Sequence, residues 1–181
     1  NNTVIANNVI DMSIARANSS ATDGKGTGIT SLGTPNSDRF NHANNSLITG
    51  NILYGCSTGI DIRGSKNKVS NNIMVNCNLA INGYRALDLI VEDNYVLSPT
   101  VQGIVIGEAV SSTEKSLITV RRNIIQDFSG SGKAVLINAI AETTLLMSDN
   151  ILNNCVSGVE IKGAGLYHVS LTGNTFNKVQ Q

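Results

Sequence analysis

Charge is scarce in this chain. Lys and Arg number 13, Asp and Glu 13, so the formal net charge is zero and charged residues make up 14% of 181. Without a basic excess there is no electrostatic footprint for a nucleic-acid backbone. Low charge also argues against a helical bundle, whose solvated faces carry many Lys and Glu. No apolar run approaches the roughly 18 residues of a membrane helix, so no membrane partner is expected. No charged segment followed by an apolar one opens the chain, so no signal peptide is expected within it. Three cysteines, an odd number without CxxC spacing, indicate neither a disulfide framework nor a zinc site. Frequent, regularly placed Ile, Val and Leu argue against disorder. Asn, Ser, Thr and Gly supply the surface instead, a composition suited to β-structure with many tight turns.

What is present is a repeat. Asn8, Asn51, Asn72, Asn94, Asn123, Asn150 and Asn174 anchor it. Three positions before each stands an apolar residue: Ile5, Ile48, Val69, Val91, Val120, Met147 and Leu171. Two positions after each stands another: Ile10, Leu53, Met74, Val96, Ile125, Leu152 and Phe176. Between the anchors a small residue precedes a β-branched one, as in Gly28-Ile29, Gly59-Ile60, Ala80-Ile81, Gly103-Ile104, Ala134-Val135 and Gly158-Val159. The anchor spacings are 43, 21, 22, 29, 27 and 24 residues, the first being one coil with long insertions. A period near 22 with three short strand-like pieces fits an all-β parallel β-helix of about six or seven coils. Coils stack at about 4.8 Å, so equivalent residues lie above one another. Stacked Asn side chains then form an amide ladder. A leucine-rich horseshoe is the competing repeat, but its Leu-x-x-Leu-x-Leu consensus is absent.

The segments GIDIRGSKNKVSNNIMVNC (59–77) and GVEIKGAGLYHVSLTGNTF (158–176) resemble the right-handed, single-stranded parallel β-helix repeats of the pectin-lyase-like superfamily. That superfamily includes pectate lyases, polygalacturonases, alginate lyases, mannuronan epimerases and bacteriophage tailspikes. The resemblance covers essentially the whole chain and is closest to a tailspike or polysaccharide depolymerase segment. It implies a polysaccharide partner, and it is specific for fold rather than for activity.

Three loops are long: 11–27, 33–45 and 107–116. The first two flank the strand at 28–32, which begins a sheet continuing through 59–63, 80–84, 103–107, 134–138 and 158–162. Long loops on a rigid scaffold commonly carry function, and the resemblance places a substrate groove on this sheet. With Ile60 and Ile62 inward, Asp61 and Arg63 point outward beside Asn82 and Tyr84 of the next coil. Asp61, Arg63, Glu108, Asp38 and His42 are the candidate catalytic residues. Asn82, Tyr84, Asp23, Lys25 and Arg39 are the candidate substrate-binding residues. A carboxylate pair about 5–9.5 Å apart would hydrolyse a glycosidic bond. A cation beside a carboxylate would instead support elimination from a uronic acid. Asp61 and Arg63 also read as a plain surface pair, and Glu160 with Lys162 more so. His168, placed just before a strand, has no obvious partner. Cys56, Cys77 and Cys155 fall in one inward column and should be unreactive. Tyr54, Tyr84 and Tyr167 are candidate sugar platforms, though the chain has no Trp for that role. No calcium-type carboxylate cluster is visible, and no cofactor or metal is expected.

The repeat already runs at Asn1 and continues almost to Gln181, with no polar cap. Residues 1–181 are therefore expected to be one β-helix domain cut from a longer chain. Three readings follow. A tailspike-like section would bind and cleave a cell-surface polysaccharide, be virion-borne or extracellular, and assemble as a homotrimer. A secreted bacterial polysaccharide lyase or glycosidase is the second. A non-catalytic structural or adhesin segment is the third.

Overall fold

Each coil turns three times and lays one strand into each of three parallel sheets. The structure is a computed structural model that describes residues 2–13, 26–30, 44–84, 86–107, 115–128, 130–139, 142–163 and 165–179. The first sheet stacks Val4–Ala6, Leu47–Thr49, Lys68–Ser70, Ile90–Glu92, Lys115–Arg121, Glu142–Ser148 and Leu166–Thr172 in chain order. The second stacks Val9–Asp11, Ile52–Tyr54, Ile73–Val75, Tyr95–Leu97, Ile124–Gln126, Ile151–Cys155 and Thr175–Val179. The third holds Thr27–Thr30, Thr58–Asp61, Leu79–Tyr84, Gln102–Gly107, Val135–Asn138 and Val159–Lys162. A short fourth pairing, Gly64–Ser65 with Ala86–Leu87, closes one turn. The expected all-β parallel solenoid is the fold observed. Among the described residues no helix is long and apolar enough to cross a membrane.

The strand registers reproduce the sequence columns. In the first sheet Ile5 pairs Ile48, then Val69, Val91, Val120, Met147 and Leu171. In the third, Ile29, Ile60, Ile81, Ile104, Val135 and Val159 stack. Side chains alternate across a strand, so these columns face one interior. Ile48, Leu53, Ile60, Val91 and Leu152 are wholly buried. Each such aliphatic side chain stabilises the fold by roughly 1.5–3 kcal/mol relative to exposure. Leu171 and Phe176 occupy the same columns but are 54% and 53% exposed. Burial therefore comes from the neighbouring coils on both sides, not from within one coil. The small column has a steric cause: a Cβ on Gly59 would lie 2.5 Å from the Ala80 carbonyl oxygen, and one on Gly103 2.4 Å from that of Ala134.

The Asn column turns the chain from the first sheet into the second. The residue before each anchor has positive φ: Asn7, Gly50, Asn71, Asp93, Arg122, Asp149 and Gly173. Asn, Asp and Gly tolerate this left-handed conformation best. The turn leaves the anchor's backbone N–H without a backbone acceptor. The next anchor accepts it: the N–H and the Nδ2 of each of the first six anchors donate to Oδ1 of the following Asn at 2.8–3.1 Å. Nδ2 of Asn94 also donates to the carbonyls of Val69 and Glu92. Replacing Asn94 by Ala strands several buried groups at once. It should lower stability by about 3 kcal/mol or more, while Asn8→Ala, at an exposed position, should cost about 1 kcal/mol. Urea-unfolding midpoints of the two variants check this difference.

Candidate functional site

The outer face of the third sheet carries four of the residues singled out from the sequence. Ile60 and Ile62 are wholly buried, so Asp61 and Arg63 project the other way. Asn82 stands opposite Asp61 in the strand register. Arg63 Nη2 donates to Asp61 Oδ2 at 3.2 Å. Asn82 Nδ2 donates to Asp61 Oδ1 at 3.2 Å. The Arg63 guanidinium lies 5.4 Å from the centre of the Tyr84 ring, within cation–π range. The side chains of Asp61 and Arg63 are 13% and 21% exposed, so this is a half-sunken pair rather than a fully solvated one. Asp61, Arg63, Asn82 and Tyr84 thus form one cluster across two coils. Its carboxylate accepts two hydrogen bonds, and its amide, guanidinium and ring remain partly open to solvent.

Farther along the sheet the same outward column continues as Val105, Leu136 and Glu160. Glu160 is therefore four strands from Asp61, roughly 19 Å, and pairs with Lys162 at 3.1 Å. It does not join the cluster. Asp23, Lys25, Asp38, Arg39, His42 and Glu108 lie outside the described residues. His168 lies within the strand Leu166–Thr172, not before it, and is exposed beside a register shift at Thr143/Thr144. Cys56, Cys77 and Cys155 are buried. Burial pushes the Cys155 thiol pKa up, as expected of an unreactive stack residue. Tyr54 is 38% exposed on the second sheet, a different face.

A second polar cluster, on the first sheet, escaped the sequence reading. Glu92 is buried, yet its carboxylate meets Lys68 Nζ at 2.5 Å, Arg121 Nε at 2.5 Å and Arg122 Nη2 at 3.3 Å. Arg122 also grips Asp93 with both Nε and Nη2, at 2.7 and 2.8 Å. Burial alone would raise the Glu92 pKa. Hydrogen bonds and charge from Lys68 and Arg121 outweigh it and hold the carboxyl below its ordinary range. Arg122 holds Asp93 low in the same way. The cluster ties three coils together, and both Glu92 oxygens are committed to cations. The signal was visible: VEDN (91–94) and VRRN (120–123) align on their anchors and place Glu92 under Arg121 and Asp93 under Arg122.

These carboxyl pKa values are lowered on folding, so their stabilisation is present above the ordinary carboxylate range and is lost as pH falls through the native values. Stability should be flat above about pH 5 and decline below it. Glu92→Gln should cost about 1–3 kcal/mol, at the lower end for breaking a buried pair because its cations are 42–45% exposed. It should also flatten the acid limb. Thermal unfolding from pH 7 to pH 3 measures both.

Comparison with known proteins agrees with this architecture. A family model described as a right handed beta helix region matches residues 17–176. The chain is 28% identical over 173 residues to the uncharacterized protein YclG of Bacillus subtilis (strain 168). That match covers 93% of this chain and 27% of the relative, so the chain spans about a quarter of that protein's length. No solved structure matches significantly.

Proposed function

We propose, for a chain that belongs to the right-handed β-helix family, that the third sheet recognises a cell-surface polysaccharide in the manner of a tailspike. The observation that carries this reading is the Asp61–Arg63–Asn82–Tyr84 cluster. Sugar hydroxyls are both donors and acceptors. A carboxylate, an amide and a guanidinium held within one pair of coils offer complementary groups at fixed positions, and the Tyr84 ring offers an apolar edge. The scaffold is rigid, so little ordering cost falls on binding. In this reading the protein is virion-borne or extracellular and assembles as a homotrimer. Cleavage, by hydrolysis or by uronate elimination as in a secreted lyase or glycosidase, needs a second catalytic group. Glu108 or Asp38 is proposed for that role.

One observation favours a binding segment without cleavage. Both Asp61 oxygens are engaged, by Arg63 and by Asn82. Among the described residues the next carboxylate on this outward column is Glu160, roughly 19 Å away, beyond the separation of about 5–9.5 Å that glycoside hydrolysis requires.

Incubation with capsular and O-antigen polysaccharides separates these outcomes. New reducing ends alone mean hydrolysis, and added ultraviolet absorbance from an unsaturated uronate means elimination. Binding without either supports recognition alone, and no binding across the panel contradicts the proposal. Asp61→Asn and Arg63→Ala should each weaken binding about 10- to 100-fold, the range expected for charge-assisted hydrogen bonds. Unchanged affinity would remove them from the site.

A further inference from the structure

The first sheet bears a groove that the third-sheet site does not use. Its volume is about 290 Å³, and Lys66, Lys68, Asp88, Ile90, Leu117 and Thr119 line it. Three adjacent strands make the floor: Lys68, Ile90 and Thr119 share one register column. Leu117 lies two residues before Thr119 on the same side and is 46% exposed. The rim is polar and fixed. Asp88 Oδ1 accepts the Leu117 N–H at 3.0 Å, and the Asp88 N–H donates to Ser116 Oγ at 3.1 Å. Lys66 stands one coil away at the equivalent turn position, since Ser65 pairs Leu87. Both turn residues have positive φ, 59° for Lys66 and 48° for Asp88.

The charges here are unequal. Lys68 is neutralised by Glu92 at 2.5 Å, whereas Lys66 makes no ion pair with another of the described residues. Of the charged residues that line the groove, Lys66 and Lys68 are cationic and Asp88 is anionic. The volume is near the lower end of ligand pockets, about 300–1,000 Å³. It suits a single ring rather than an oligomer. An aliphatic floor fits the C–H face of a sugar ring, while Asp88 and Thr119 can meet its hydroxyls. Lys66 supplies a counter-charge for one anionic substituent.

We propose that this groove binds one anionic sugar residue, carboxylated or sulfated, and forms a second glycan contact on a different face of the solenoid from Asp61. The inference stands on the groove itself and does not rest on the third-sheet reading. The two sites share a coil: Arg63, Lys66 and Lys68 follow one another around a single turn. One branched or bent glycan engaging both would gain by effective concentration.

Titration of the 15N-labelled chain with D-glucuronate, D-glucose 6-sulfate and D-glucose, followed by amide shifts, tests the proposal. The expected result is a saturable shift of the Lys66, Asp88, Leu117 and Thr119 amides with glucuronate or the sulfate. Affinity should exceed that for glucose by about fivefold, the scale of one partly exposed ion pair. Whichever anion binds tighter identifies the substituent. Lys66→Gln should remove the preference over glucose, and Leu117→Asp should abolish the shifts. Silence at these four amides with both anions, or an equal response to glucose, overturns the proposal. The amides of Asp61, Asn82 and Tyr84 report the third-sheet site separately, so either site can fail without the other. The wild-type map decides the matter even if a variant does not fold.

Discussion

One carboxamide per coil holds this structure in register. A parallel solenoid must turn its chain sharply three times in each coil, and each turn leaves backbone groups that no strand can pair. At the turn into the second sheet the missing acceptor is Oδ1 of the next Asn, and the missing donor is Nδ2. Asp would lack the donor and Ser the reach. Because each Asn binds both the coil before and the coil after, the ladder fixes stacking to the residue. The aliphatic columns then meet like against like, and burial follows.

In-register stacking also explains why the chain carries so little charge. Every residue lies about 4.8 Å from its equivalent on the next coil, so a column of like charges would repel itself. The ionisable residues on the first sheet appear instead with alternating sign. Lys68 lies near Glu92 and Glu92 near Arg121, Arg122 sits over Asp93, and Lys115 pairs with Glu142. Elsewhere the outward positions are mostly uncharged, as Asn82, Val105 and Leu136 are on the third sheet. On the third sheet Asp61 is balanced by a neighbour two residues away, Arg63. The same geometry builds sites. Two coils suffice to bring Asp61, Arg63, Asn82 and Tyr84 together, and three to floor the groove at Ile90.

The interior was legible in the sequence because it is repetitive. Seven apolar residues three positions before seven asparagines admit few other folds, and the small column at Gly59 and Gly103 has a direct steric cause. The outward alternation at Asp61 and Asn82 was legible for the same reason, since register carries it from one coil to the next. Glu92 was overlooked because attention to inward columns discards the residues between them. Aligning VEDN with VRRN would have found it. The groove at Lys66 was not readable, since Ile90 and Leu117 both line it but come from different coils with unequal spacing in the sequence. Asp38, His42 and Glu108 lie on long insertions where the repeat imposes no position.

Hydrogen exchange at the ladder backbone amides tests the central claim most directly. The N–H groups of Asn51, Asn72, Asn94 and Asn123 donate to side-chain oxygens of the next coil. If the ladder sets the register, these four turn amides should exchange as slowly as the core strand amides of Ile81 and Ile104, opening only with the whole stack. Exchange at the rate of solvent-exposed turns, with the strands still protected, would show that the strands stack without the asparagines and would contradict the account.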